Sequence, residues 1–552
     1  MTIRSVLRRR LVPASLLTAA ALVLAACSGG TSSDATSTEG STTAVSGGSL
    51  TWAIASEPSC FAPAFHQLVS DRAVLRNLFD SLVHQEDDGT FTGWLADSWV
   101  VSDDGTTYTF TLGEGITFSD GATLDAEAVK ENYDYVRDSA NGSTYSTLLS
   151  SVSEITAPDA TTLVLQLSAP DTSLLDSLSS VALGIVDPAG LDLGDGLCDP
   201  TTGDLSGSGP FTVADYSRGD HVELARNDDY DWAPETADHT GAAYLDTVTY
   251  SFQSDDSGRV GSLESGQVDA ISGVPALQVE TLEGQGLTYQ NGPSTSSTFG
   301  FVINADAANA PWDDVRLRQA VRDGFDLDAI VQAVYSGQVD RAWSWFGQDS
   351  AGYDASLEGA WGDDVDAANA LLDEAGWTEV DDEGYRTKDG ERLTLEVTYD
   401  ADSVRDQRDT LIEAVQDQLK TNLGVELAFS TPTWTEVSAA IADGSWSVYP
   451  ATFGRTDYAN SVLGTWSGYF YAAGSYQPTA AVDAATTALT ATDDATRTEA
   501  LAAIQTDLVL DEAVFIPLTE STFQVAYASD VHGIGFDASS GTPDSAYDVW
   551  LG

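Results

Sequence analysis

The chain has 552 residues, 42% of them hydrophobic, which is enough for two or three domains with buried cores. Its 86 acidic and 23 basic residues give a formal net charge of −63 at pH 7. Such a charge repels phosphate backbones and anionic lipid head groups, so it argues against nucleic acid as a partner. We expect it to keep a cell-surface protein soluble.

The first 26 residues have the pattern of an export signal. MTIRSVLRRR is a basic region, and LVPASLLTAAALVLAA is an apolar region too short for a lasting membrane span. The small residues before Cys27 resemble the lipobox of bacterial lipoproteins, which implies cleavage before Cys27 and lipid on its sulfur. The alternative is a plain secretory signal followed by a chance cysteine. Residues 27–48 are rich in Ser, Thr and Gly, which predicts a flexible tether.

Two further cysteines, Cys60 and Cys198, follow the tether. Because an exported chain meets an oxidising compartment, we predict a disulfide between them, and two separate buried thiols are the alternative. Closing so long a loop is worth roughly 4–5 kcal/mol of unfolding free energy. The five histidines are scattered with no pair at metal-ligand spacing, so the sequence predicts neither a zinc site nor a cofactor.

Strands and helices alternate irregularly from residue 49 onward. Residues 49–54 are a predicted strand, and in 107–112 apolar residues alternate with threonines, as in a half-buried strand. Asp125 is placed to cap a helix whose inward face carries Val129, Tyr133 and Val136.

Further amphipathic helices are predicted in the second half of the chain. Asp313 is expected to open one helix, and Asp326 to cap the next, which Gly337 ends. The residues predicted to face the core are Leu317, Val321, Phe325, Ile330, Val334, Leu501, Ile504 and Leu508. We therefore predict a mixed α/β protein with strands contributed from both ends of the chain.

Residues 93–136 resemble the signature of the family 5 extracellular solute-binding proteins, the oligopeptide- and dipeptide-binding lipoproteins of ABC importers. The matching pieces are LADSW at 95–99, Asp-Gly at 104–105, YTFTL at 108–112, FSDG at 118–121 and AEAV at 126–129. Gly113 is a departure, because the family usually has arginine there. GSGPF at 207–211, FVIN at 301–304, VRLRQA at 315–320 and IPL at 516–518 agree in order and spacing.

The resemblance implies an α/β, periplasmic-binding-protein-like fold with two hinged lobes and three domains. Domain I, a discontinuous lobe, takes residues 49–75, 206–297 and 515–552, the inserted domain II takes 76–205, and domain III, the second lobe, takes 298–514. Cys60 and Cys198 would then lie at the two ends of the inserted segment, and their disulfide would tie those ends together.

The resemblance also places ligand-binding residues. Asp457, followed by Tyr458, occupies the position of the aspartate that pairs with the α-amino group of peptide ligands in the family. A buried ammonium without a counter-charge costs several kcal/mol, so such a ligand needs a carboxylate. Residues from Gln67 to Val69 occupy the position of the segment that pairs with the ligand backbone.

Two residues that accompany this aspartate in other family members are absent here. Ala451 stands where some members have an arginine that binds the peptide carboxylate, and Gly454 stands where a tryptophan is common. Arg455 is a possible replacement for the arginine from another direction. Aromatic side chains are dense in domain III, and those expected to wall the ligand are Phe453, Trp434 and Trp466.

The predicted function is a non-enzymatic receptor that captures peptides and delivers them to an ABC permease, as a monomer held at the membrane by its lipid anchor. An oligosaccharide, an opine-like compound or a metal chelate is an alternative ligand. A secreted lipoprotein hydrolase with paired carboxylates is the alternative of another class. Acid pairs such as Asp103-Asp104 and Asp363-Asp364 are uninformative in so acidic a chain, and no nucleophile elbow or phosphate loop appears.

Overall fold

The computed structural model describes residues 43–202, 205–453, 457–466, 470 and 476–552. The predicted export signal, Cys27, most of the predicted tether and Arg455 lie outside the described residues. The helices are α1 Arg72–Leu75, α2 Ala126–Arg137, α3 Leu174–Ser179, α4 Pro188–Leu191, α5 Asp256–Glu264, α6 Val279–Gly284, α7 Val315–Asp323, α8 Leu327–Tyr335, α9 Val365–Glu374, α10 Arg408–Leu423, α11 Trp434–Asp443, α12 Tyr458–Gly464, α13 Thr479–Thr490 and α14 Asp494–Thr506.

The first twelve strands are β1 Ser49–Ile54, β2 Val83–Gln85, β3 Phe91–Gly93, β4 Ala96–Val101, β5 Thr107–Leu112, β6 Val152–Asp159, β7 Thr162–Leu167, β8 Phe211–Ser217, β9 His221–Arg226, β10 Thr247–Phe252, β11 Ala270–Ser272 and β12 Thr288–Asn291. The others are β13 Phe299–Ile303, β14 Glu379–Val380, β15 Arg386–Lys388, β16 Glu391–Arg392, β17 Thr394–Thr398, β18 Glu426–Ser430, β19 Val448–Ala451, β20 Phe515–Thr519, β21 Gln524–Tyr527, β22 Val531–His532 and β23 Trp550–Leu551. The predicted strands at 49–54 and 107–112 are confirmed.

A seven-stranded sheet forms the base of the first lobe, in the order β12-β21-β11-β1-β10-β9-β8. The central strand β1 pairs in parallel with both β10 and β11, so that Trp52 lies between Tyr250 and Ala270. Central parallel strands are covered on both faces, which explains why β1 is apolar rather than strictly alternating.

A five-stranded sheet forms the second lobe, in the order β18-β17-β19-β13-β20. Strands β17, β18 and β19 run parallel, and β13 runs antiparallel to both β19 and β20. Residues 515–519, which we had placed in domain I, therefore belong to the sheet of the second lobe. This prediction was wrong for that strand, because all five residues of β20 are buried and their sequence does not specify which sheet covers them. The remaining domain limits stay predictions.

Two linkers, residues 292–298 and 520–523, join the sheets. The first runs from the end of β12 to the start of β13, and the second from the end of β20 to the start of β21. Strands β12 and β11 both run antiparallel to β21, so β12 ends at the same edge of its sheet as β1 does. Both linkers therefore connect the carboxyl edges of the two sheets, where open α/β sheets bind ligands.

The inserted segment contains the four-stranded sheet β4-β5-β7-β6, covered by α2. Asp125 caps α2 as predicted, because its Oδ1 accepts a hydrogen bond from the Ala128 amide at 3.0 Å. The predicted inward residues of α2 are buried. The disulfide between Cys60 and Cys198 is present and links the two ends of this segment.

The glycines of the GSGPF stretch permit a close backbone crossing where the inserted segment begins and ends. A Cβ atom on Gly207 would lie 2.1 Å from the Leu78 carbonyl oxygen, and one on Gly209 would lie 2.5 Å from the Asn77 carbonyl oxygen. The Gly209 amide instead donates to the Leu78 carbonyl at 3.0 Å. Any side chain at Gly207 would separate the two crossing strands.

The predicted helices of the second lobe need one correction. Helix α7 is capped by Asp314, whose Oδ1 accepts from the Arg316 amide at 3.0 Å, and not by Asp313. Adjacent aspartates are equally good caps, and the backbone conformation selects between them. Asp326 caps α8 as predicted, but left-handed Ser336 ends that helix one residue before Gly337. In the described part of the chain, no helix has the length and apolarity needed to cross a membrane.

Candidate ligand-binding site

Asp457 lies in the loop after β19, at the carboxyl edge of the second-lobe sheet. It caps α12, because its Oδ1 accepts a hydrogen bond from the Asn460 amide at 2.6 Å. Its side chain is only 4% exposed, and its Oδ2 lies 3.4 Å from Nη2 of Arg497. Asp457 is thus a buried carboxylate.

A second carboxylate approaches from the other lobe. Asp176, on α3 of the inserted segment, has a side chain that is 10% exposed, and its Oδ2 lies 4.0 Å from Nη2 of Arg497. Its Oδ1 accepts a hydrogen bond from Nε2 of Gln85 at 3.2 Å. We call Asp176, Asp457 and Arg497 the acidic junction, because two carboxylates of different lobes share one guanidinium.

Burial dominates the electrostatics of the acidic junction. It raises the pKa of Asp457 from 3.8 to about 6, although the Asn460 amide and Arg497 act in the opposite direction. It raises the pKa of Asp176 to about 8, and the charge of Asp457 raises that pKa further. Asp171 also raises both pKa values. At pH 7 Asp457 is therefore mostly ionised and Asp176 mostly protonated, and a cationic ligand group would favour the ionised form of both carboxyls.

Direct hydrogen bonds between the two lobes lie beside the acidic junction. The amide of Thr172 donates to the Leu489 carbonyl at 2.9 Å, and its hydroxyl donates to the Ala488 carbonyl at 3.0 Å. Nδ2 of Asn460 donates to the Ser173 hydroxyl at 2.6 Å. The inserted segment of the first lobe therefore contacts α12 and the end of α13 in the second lobe at this point.

Phe453 and Tyr458 lie beside the linker 292–298. The Phe453 amide donates to the Ser297 hydroxyl at 2.5 Å, and the Tyr458 hydroxyl donates to the Thr295 carbonyl at 3.0 Å. The Phe453 ring is half-buried and lies 5.7 Å from the Trp345 ring. These two residues therefore hold the loop that contains Asp457 against a connection between the lobes.

The two predicted tryptophans have different surroundings. Trp466 is fully buried in the second-lobe core, with its ring 5.9 Å from the Trp345 ring. Trp434 is 42% exposed at the start of α11, and its ring lies 6.5 Å from the Tyr449 ring. It follows β18 at the same carboxyl edge as Asp457.

The predicted backbone-pairing segment belongs to the first lobe, between β1 and α1. Gln67 is exposed, and its amide donates to the Ser59 hydroxyl at 2.9 Å. Val69 is partly exposed and starts a short 3-10 turn. Contact of either residue with a ligand stays a prediction.

Sequence reasoning missed Asp176, Arg497 and Arg405. Arg405 follows β17 at the carboxyl edge, and its side chain is 57% exposed, 3.4 Å from Asp406. None of the three stands in a motif, and Asp176 is one of 86 acidic residues. Only the packing of the two lobes brings Asp176 to Asp457, so no local pattern could have identified the pair.

Comparisons with known proteins identify the family of this chain. The model of the bacterial extracellular solute-binding proteins, family 5 Middle, matches residues 90–508. The glutathione-binding protein GsiB of Escherichia coli (strain K12) is 25% identical over 477 residues, covering 84% of this chain and 87% of GsiB.

Two solved structures share the fold. NikA from Brucella suis, in complex with Fe(III)-EDTA, is 23% identical with a TM-score of 0.77, covering 92% of this chain and 100% of that chain. DppA from Helicobacter pylori, in complex with the peptide STSA, is 21% identical with a TM-score of 0.74, covering 92% of this chain and 98% of that chain. With a two-lobed fold, a carboxylate at the junction of the lobes and a family match over most of its length, the chain belongs to the family 5 extracellular solute-binding proteins of ABC importers.

Proposed function

We propose that this protein binds a peptide, or a related small solute with a cationic group, between its two lobes and delivers it to an ABC permease. Asp457 is proposed to pair with the ligand ammonium. The observation that carries this proposal is the burial of the Asp457 carboxylate where the two lobes meet, with only Arg497 as a cationic partner among the described residues.

Charge at the acidic junction favours a cationic ligand over a neutral or anionic one. The charges of Asp171 and Asp457 act there, and a bound cation would favour ionisation of Asp176, so an anionic group is disfavoured at this end of the cleft. A peptide N-terminus brings one positive charge together with donors for both carboxylates. The peptide bound to DppA is consistent with this choice of ligand class.

Other residues at the carboxyl edges have proposed roles along the ligand. The backbone from Gln67 to Val69 is proposed to pair with an extended peptide, which gives affinity without strict sequence preference. Trp434 supplies an exposed apolar surface for ligand side chains. Arg405 supplies an exposed guanidinium for a ligand carboxylate, a role for which Arg455 is the other proposed residue.

Phe453, Tyr458 and Trp466, the other residues predicted to bind the ligand, are proposed to have smaller roles. Phe453 and Tyr458 shape the wall beside the linker, since their polar groups bind Ser297 and Thr295. Trp466 is proposed to support the site from the core, where its ring packs against Trp345, because it has no exposed surface.

Attachment and assembly are also proposed. Lipid on Cys27 would anchor the protein on the outer face of the cell membrane, with residues 27–48 as the tether. We propose that it acts as a monomer and that it catalyses no reaction. The absence of catalysis is tested by incubating purified protein with a panel of peptides and glycosides. Product in molar excess over protein would contradict it.

Isothermal titration with trialanine and N-acetyl-trialanine tests the role of Asp457. We expect trialanine to bind more tightly, and the Asp457→Asn variant to lose about 2–5 kcal/mol of binding free energy for trialanine alone. Asparagine also caps helices well, so α12 should remain folded. The matched control is Asp417→Asn, which removes one exposed charge from α10. Equal binding of both peptides, or unchanged affinity in Asp457→Asn, would contradict the proposal.

A further inference from the structure

A cavity of about 150 Å³ lies in the first lobe, away from the acidic junction. It is lined by the β2–β3 hairpin, the loop after β9 and the C-terminal segment, including Trp94, Tyr230, Asp544, Tyr547 and Asp548. The loop after β9 leads into the amino end of β10, whereas the linkers lie at the carboxyl end of that sheet. None of these lining residues belongs to the proposed peptide site.

Aromatic rings form fixed walls of this cavity. The Tyr230 and Tyr547 rings meet edge to face at 5.3 Å between centroids. The Tyr547 hydroxyl donates to the Gly241 carbonyl at 2.8 Å, and Nε1 of Trp94 lies 3.4 Å from the Tyr230 hydroxyl. Because these polar ends are already bonded, the rings are held in one arrangement, in which the His239 ring covers one face of Tyr547 at 4.1 Å between centroids.

Carboxylates supply negative charge to the same cavity. Oδ1 of Asp548 is buried and accepts no hydrogen bond from any described residue, and its closest cationic partner is Nε2 of His239 at 3.5 Å. Burial raises the pKa of Asp548 to about 6 and also raises the pKa of Asp544. An unsatisfied buried carboxylate oxygen is costly, and a cation in the cavity would relieve that cost.

The charges of Arg76 and His84 act on Asp544, but the Arg76 guanidinium is itself paired with another carboxylate. Nη2 of Arg76 is 2.7 Å from Oδ2 of Asp537, and its Nη1 donates to the Ser81 hydroxyl at 2.7 Å. Its guanidinium covers the Trp94 ring at 5.0 Å. Arg76 therefore already forms a buried ion pair with Asp537.

We propose that this cavity is a second ligand site, separate from the peptide cleft, which binds a small organic ammonium ion. Aromatic faces combined with carboxylates are the surroundings that quaternary and methylated ammonium groups prefer. A metal ion fits less well, because the described residues contain no group of three His, Cys, Asp or Glu side chains placed to hold one. The volume limits the ligand to a compact cation.

Choline and its neutral analogue 3,3-dimethylbutan-1-ol, titrated into the whole protein at about 0.15 M salt, test this proposal. We expect choline to bind at least about tenfold more tightly than the neutral alcohol, because the shapes match and only the charge differs. The Asp548→Asn variant should weaken choline binding about fivefold or more, while Asp417→Asn should not. Asp457→Asn should leave choline binding unchanged, which separates this site from the peptide site.

Four outcomes would overturn the proposal, and the first three concern choline affinity and displacement. These are equal binding of choline and the alcohol, unchanged choline affinity in Asp548→Asn, or complete displacement of choline by an equal concentration of calcium ion. If circular dichroism shows that Asp548→Asn is unfolded, Asp544→Asn replaces it and the same loss is expected. Loss of choline binding in Asp457→Asn would assign the ammonium ion to the cleft instead and would also overturn the proposal.

Discussion

Ligand affinity should fall as the pH decreases through about 6, because Asp457 must be ionised to pair with an ammonium group. Burial raises its pKa from 3.8 to about 6 in the absence of ligand. Below that pKa, each pH unit lowers the ionised fraction about tenfold, which corresponds to about 1.4 kcal/mol. The ligand α-amino group has a pKa of about 8, so it stays charged across this range. We therefore expect trialanine to bind about tenfold more weakly at pH 5 than at pH 7.5.

Acid unfolding would not explain such a loss. The pKa of Asp457 is raised in the folded protein, so its ionised form opposes folding at pH values above about 6. Protonation of Asp457 between pH 6 and its unfolded pKa therefore adds stability while it removes ligand binding. Asp176 acts in the same direction, since its pKa is raised to about 8.

Calorimetric titrations of the wild type and of Asp457→Asn between about pH 5 and pH 7.5 measure this effect, with thermal unfolding recorded at each pH. The wild type should lose affinity toward low pH, whereas the variant should bind weakly and without this pH step. A flat profile in the wild type, or the same step in the variant, would refute the role assigned to Asp457.

Two further predictions concern stability. Gly207→Ala should lower the free energy of unfolding by several kcal/mol, because its Cβ would clash with the Leu78 carbonyl, whereas Gly261→Ala in α5 meets no atom within 4 Å and should be neutral or stabilising. Chemical denaturation of both variants measures these free energies. Equal stability of the two variants would contradict the predicted clash at Gly207. Replacing Cys60 and Cys198 with serine opens a loop of 138 residues and should lower the free energy of unfolding by up to about 5 kcal/mol, measured against the wild type without reductant.

Local sequence patterns predicted local structure well in this protein. Asp125 and Asp326 cap their helices because a short acidic side chain can reach an amide two or three residues onward, whatever the rest of the fold does. The same rule could not choose between Asp313 and Asp314, since neighbouring aspartates offer the same chemistry.

Burial and sheet membership were harder to predict. Trp434 and Trp466 are both aromatic residues of the second lobe, yet one is 42% exposed and the other is fully buried. Strand β20 is buried throughout, and its pairing with β13 depends on residues more than 200 positions away in the chain. Such pairings are decided by competition between distant strands, which a local pattern does not contain.

The sequence by itself determined the family, the mixed α/β class and the helix caps at Asp125 and Asp326, because these depend on short motifs and on residues adjacent in the chain. The tertiary structure decided what surrounds the Asp457 carboxylate. It brings Asp176 from the other lobe and Arg497 from α14 to Asp457, and their burial gives two raised pKa values. Charge–charge coupling acts through space in a medium of low dielectric constant, so it exists only after the two lobes have packed together.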